Sequence, residues 1–115
     1  MKIIFKNSKV KQLCTNEQKA IKELGAMVAN KLFAAINLLE SAENLKDILA
    51  FPQYHLHKLK GNLKNIYSMY LGKTTGYRLL LIPLDENEKA IVSSDISIYT
   101  LAVCIEIEGV SKHYE

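Results

Sequence analysis

The hydrophobic period of this chain changes around Pro52, and that change constrains the fold more than any short motif does. Before it, Ile21, Leu24, Val28, Leu32, Ala35, Ile36 and Leu39 recur at steps of three and four, which lines one face of a helix. After it, Tyr67, Met69 and Leu71 alternate with Ile66, Ser68 and Tyr70, the two-residue period of a strand. Helices first and strands afterwards predict an α+β fold, with helices packed on one face of a small antiparallel sheet.

The boundaries follow from local chemistry. "TNEQ" at residues 15–18 has the form of a capping box, with Thr15 accepting from the Gln18 amide and opening a helix over roughly residues 16–40. Ser41 is placed to cap a shorter helix carrying Leu45, Ile48 and Leu49, which Pro52 stops by disfavouring helix in the residue before it. Ile3 to Phe5 read as a short opening strand. "GKTTG" at 72–76 is a glycine-bounded hairpin loop and "YRLLLI" at 77–82 the returning strand. "VCIEIEG" at 103–109 alternates, with Val103, Ile105 and Ile107 on one side. Residues 85–100 are mixed and polar and predict no element.

A chain of 115 residues fits one domain, residues 1–115, with a core that needs no metal or disulfide staple. Cys14 and Cys104 form no CxxC or Cys/His pattern and read as two reduced thiols. The apolar run in "MKIIFKNSKV" is too short for a signal peptide, and no stretch approaches the ~20 apolar residues of a membrane span. A cytoplasmic protein with no membrane partner is expected.

The net charge of +3 is modest; its distribution is not. No Asp or Glu occurs between Asp47 and Asp85, although the chain has 12 acids. The same segment carries His57, Lys58, Lys60, Lys64, Lys73 and Arg78, the only arginine, with Tyr67, Tyr70 and Tyr77 interleaved. Cations attract phosphates, rings stack on unpaired bases, and clearing carboxylates avoids repelling a polyanion. A solvated sheet edge also carries lysines to block strand pairing, and the tyrosines individually suit a core. Other chemistries find no support. The glycines form neither GxxxxGK[ST] nor GxGxxG, so no nucleotide cofactor is expected. His55 and His57 lack a nearby carboxylate, so no metal is expected.

"YHLHKLKGNLKNIYSMY", a short loop, "GYRLLL" and a histidine near the end together resemble the HigB branch of the RelE/ParE toxin superfamily. The resemblance covers most of the chain and is weakest over residues 85–102. It implies two N-terminal helices against a small twisted antiparallel sheet, and a ribosome-dependent messenger-RNA endonuclease that needs no metal. It implies as partners the ribosome, messenger RNA and a cognate helix-turn-helix antitoxin of HigA-like type. By position, His57 and Lys60 match the histidine and lysine of the family's motif block, Arg78 the arginine after the hairpin, and His113 the terminal histidine.

Such cleavage needs a base for the 2′-hydroxyl, cations for the charge on the phosphate, and an acid for the departing 5′-oxygen. Arg78 suits the phosphate clamp, because its planar fork stays charged and can donate twice. His113 suits acid or base work. Lys60 serves as a base only if neighbouring cations depress its pKa, and otherwise as an electrostatic stabiliser, which makes His57 the more natural base. Residues 57 and 60 face opposite sides of a regular strand, so joint action needs an irregular backbone, which Gly61 permits. Lys58, Lys64, Lys73 and Lys112, with Tyr70, are the expected RNA contacts.

The chain departs from the family pattern in two places. Tyr70 stands where these toxins often place a second arginine, and Ser111 and Lys112 replace the Asp-Tyr before the terminal histidine. Two other readings therefore stay open: a ParE-like DNA gyrase inhibitor, and a degenerate member that only binds its antitoxin.

Overall fold

Gly25 interrupts the apolar stripe. The computed structural model describes residues 1–60, 65–91 and 96–112, and the single helix expected over 16–40 is two helices, α2 (Glu17–Leu24) and α3 (Ala26–Ser41). Gly25 adopts φ 84° and ψ 159°, a conformation open to glycine and closed to most side chains. The chain therefore turns there, although the three-and-four spacing runs on.

Another helix, α1 (Ser8–Thr15), comes first. Thr15 is its last residue, and its Oγ1 donates back to the Lys11 carbonyl at 2.6 Å. The cap of α2 is instead Asn16, whose side chain accepts from the Lys19 amide at 3.1 Å; asparagine is one of the strongest helix openers. Ser41 likewise closes α3 rather than opening a new helix, and donates to the Leu38 carbonyl at 2.9 Å. The chain continues as a 3-10 segment, Leu45–Ala50, and Pro52 begins a second 3-10 turn, Pro52–Tyr54.

Among the described residues, five strands form one sheet: β1 (Lys2–Phe5), β2 (His57–Lys58), β3 (Tyr67–Tyr70), β4 (Tyr77–Leu84) and β5 (Cys104–Lys112), in the order β1-β5-β4-β3-β2. The expected hairpin between β3 and β4 is present, and β2 to β5 pair antiparallel. β1, however, runs parallel to β5, so the sheet is mixed. A short loop forces antiparallel pairing, whereas the helices and strands between β1 and β5 are ample for a parallel crossover. Within the unassigned stretch, Asp85 Oδ1 accepts from the amides of Asn87 and Lys89 at 2.8 and 3.1 Å, closing a turn. A short helix, α4 (Ser97–Leu101), precedes β5.

One face of the sheet packs on the helices. Leu32, Ala35 and Leu39 of α3, with Leu45 and Ile48, meet Met69, Leu79, Leu81, Ile105 and Ile107, all buried. Ile21, at 38% exposure, lies outside this core, as the turn at Gly25 takes α2 off the line of α3. Val103 also falls short of its expected place beside Ile105, because it precedes β5 and is 36% exposed. Cys14 and Cys104 are buried free thiols, and burial pushes Cys14 up to about 11. Among the described residues no helix is long and apolar enough to cross a membrane.

The register between β4 and β5 shifts between Leu80 and Leu81, which pair with Gly109 and Ile107, leaving Glu108 as an extra residue. A bulge of this kind reverses the in-out alternation beyond it. Ile105 and Ile107 face the helices before the bulge, and Val110, opposite Leu79, faces them after it. Ser111 is thereby placed on the other face, opposite Arg78.

Candidate functional site

Strand pairing assembles the site on the face turned away from the helices. Directly opposed residues share a face. Tyr70, Arg78 and Ser111 stand in one such row, and His57, Ser68 and Leu80 in the next. The Arg78 guanidinium carbon lies 3.8 Å from the centre of the Tyr70 ring. One guanidinium nitrogen donates to the Tyr77 carbonyl at 3.0 Å, while the buried Nε has no partner among the described residues. Arg78 is thus held by a ring and a carbonyl, and no carboxylate among the described residues pairs with it.

The row of rings continues past Tyr70. The His55 ring is 4.8 Å from that of Tyr70 and 4.5 Å from that of His57. His55 follows the Pro52–Tyr54 turn in a left-handed conformation, φ 44° and ψ 50°, uncommon for a residue with a side chain. That conformation aims its carbonyl at His57, whose Nδ1 lies 2.7 Å from the oxygen. A carbonyl only accepts, so the neutral His57 ring carries its proton on Nδ1 and has its lone pair on Nε2. This is the tautomer a general base needs.

The other sequence-derived candidates are placed unevenly. Lys58 is exposed on β2, opposite Tyr67. Lys60 is exposed just past the end of β2, and Gly61, the expected bend, lies outside the described residues. Lys73 is exposed in the hairpin loop. Lys112 pairs with Tyr77, with its ammonium 5.3 Å from that ring, and so sits on the helix side of the sheet, away from Arg78. Lys64 and His113 lie outside the described residues.

Reading the sequence missed three features. His55 was weighed with His57 only as a metal pair and set aside; its carbonyl orients its neighbour. Lys31, on α3, faces a groove of about 530 Å³ shared with Tyr54, His55, Tyr70 and Lys73. Glu106 and Glu108 stand together near the bulge. Burial first, then a hydrogen bond to and repulsion from Glu106, push the Glu108 carboxyl up to about 7, against the opposing pull of Lys6. Two carboxylates can share such a bond only if one is protonated. Among the described residues no three His, Cys, Asp or Glu side chains gather where they could hold a metal ion.

Residues 4–93 match the family described as the RelE-like toxin of the type II toxin–antitoxin system HigB. The chain belongs to this HigB-like toxin family. The match spans α1, α2, α3, β2, β3, β4 and Arg78, and ends before α4 and β5. The fold of the toxin is similar to that of a solved YoeB/ParE toxin from Agrobacterium tumefaciens, with a TM-score of 0.50 and 14% identity, covering 99% of this chain and 100% of that one. At that identity the likeness concerns the fold alone. Comparison with curated proteins gave no match. As a type II toxin, the protein has an antitoxin as its partner.

Proposed function

We propose that this toxin is a ribosome-dependent messenger-RNA endoribonuclease acting in the cytoplasm, silenced by a HigA-like helix-turn-helix antitoxin. The observation that carries the reading is the presence, on one sheet face, of a guanidinium over Tyr70 that no carboxylate among the described residues neutralises, together with an imidazole whose Nδ1 is tied to a carbonyl.

In this reading Nε2 of His57 takes the proton of the 2′-hydroxyl, and the resulting oxyanion attacks the adjacent phosphorus in line. Arg78 donates to the non-bridging oxygens as their charge grows, and Lys60 adds a second cation. His113 returns a proton to the departing 5′-oxygen. The bond to the 5′-oxygen breaks, leaving a 2′,3′-cyclic phosphate and a 5′-hydroxyl. Lys58, Lys64 and Lys73 hold RNA or ribosomal phosphates, whereas Lys112, turned to the other face, does not.

The test maps message 5′ ends in a translating extract given the wild type, Arg78→Ala or His57→Ala. New 5′-hydroxyl ends at ribosome-occupied codons, lost in both variants, are expected. Intact messages with all three proteins would remove the nuclease reading, and gyrase-dependent DNA breaks would replace it with a gyrase inhibitor.

A further inference from the structure

A groove runs beside the site face, between α3, the Pro52–Tyr54 turn and the start of the hairpin loop, and encloses about 530 Å³. That is within the range of small-ligand sites. Its walls include Tyr54, His55 and Tyr70, two lysines, Lys31 and Lys73, and Gln53. Among the described residues no acid lines it. The ion pair found among those residues joins Lys2 to Glu88, so neither groove lysine is neutralised there.

The groove is continuous with the proposed reaction centre through Tyr70, whose ring forms part of its wall and also carries the Arg78 guanidinium. The lysines come from separate parts of the chain. Lys73 belongs to the acid-free segment, while Lys31 is brought in by α3, which approaches so closely that a Cβ on Gly72 would meet the Lys31 Cδ at 2.8 Å. Flat rings beside uncompensated cations fit a ligand with a flat face and an anionic group. The Gln53 amide, also in the lining, offers a donor and an acceptor to a heterocycle edge. An unpaired nucleotide has all of these features.

We propose that the groove is a subsite for one unpaired nucleotide of the RNA strand, adjacent to the phosphate held by Arg78. Its base stacks among Tyr54, His55 and Tyr70, and its phosphate lies between Lys31 and Lys73. That the strand is RNA rests on the nuclease reading above; the groove's preference for a base with a phosphate does not.

The test measures binding of the full chain to a fluorescent single-stranded hexaribonucleotide carrying 2′-O-methyl groups, which cannot be cut, over a range of salt. Neutralising both lysines, as Lys31→Gln with Lys73→Gln, is expected to flatten the slope of log affinity against log salt by about 0.7 for each charge removed. Lys9→Gln, on the exposed side of α1, should leave it unchanged. An abasic oligomer of equal length should bind about 5- to 100-fold more weakly, the loss expected when stacking is removed. A wild type that does not bind the oligomer, a double variant with unaltered slope, or an abasic oligomer that binds equally well overturns the proposal. Cleavage in the translating extract is scored separately. Messages left intact while binding still depends on these lysines would sink the nuclease and keep the groove; messages cut equally well without the lysines would do the reverse.

Discussion

Replacing Glu108 by glutamine should stabilise this toxin in alkaline solution and leave it almost unaffected in acid. The folded protein holds the Glu108 carboxyl at about 7, against an ordinary value of 4.5. Below the lower value the group is protonated whether the chain is folded or not, and it has no differential effect. Between the two values the folded state keeps a proton that the unfolded state has released, so stability falls as pH rises. Above the upper value the fold carries the whole penalty of an ionised carboxylate that is partly buried and faces Glu106. A shift of this size is worth about 3 kcal/mol if none of it is screened, at 1.36 kcal/mol per unit. Solvent reaches this half-buried side chain, and screening reduces the expected cost to about 1 kcal/mol. Glu108→Gln keeps the shape and cannot ionise, so at about pH 8 it should gain that amount, roughly 4 °C in melting temperature for a domain of this size. At about pH 5 the gain should be a small fraction of this, because the wild type is then mostly protonated. Urea unfolding at both pH values measures the difference. An equal gain at both, or a loss at about pH 8, would refute this reasoning, since it would place the effect in packing rather than ionisation.

Two further outcomes concern the site. Tyr70→Phe keeps the ring under Arg78 and should cleave messages within about twofold of the wild type, whereas Tyr70→Ala removes a cation–π contact of about 0.5–2 kcal/mol and should slow cleavage about 2- to 30-fold, read as message half-life in extract. At position 55, glycine relieves the left-handed backbone and should hold or raise stability by up to about 1 kcal/mol, while His55→Val should lose about 1–2 kcal/mol; urea midpoints moving the same way in both variants would assign the effect to the ring instead.

The parts of the fold legible in the sequence were those set by neighbours in the chain. Pro52 ended a helical segment, "GKTTG" made a hairpin, and "YRLLLI" returned as β4. The break at Gly25 was hidden because the apolar stripe has the same spacing on both sides of it. The parallel β1–β5 pair was hidden because no local signal records a partner so far along the chain. The site divides in the same way. Arg78, Tyr70 and His57 came from one acid-free segment and meet on one face. Lys112 did not join them, because the bulge at Glu108 exchanges the faces of Ser111 and Lys112, and a bulge leaves little trace in an alternating sequence. Lys31 was invisible as a groove residue, since a lysine on an amphipathic helix normally marks only its solvent side.

The position of β5 also bears on when this toxin becomes dangerous. It lies inside the sheet, between β1 and β4, yet it is translated after the other four strands. β1 therefore has no edge to join until β5 emerges, and β4 has an open side until the same moment. Pairings between such distant segments form late and close slowly. A nascent chain should pass most of its synthesis without a completed sheet. Premature termination before Cys104 would then yield a harmless fragment, so the order of strands delays the hazard until a ribosome has read through the codons of β5.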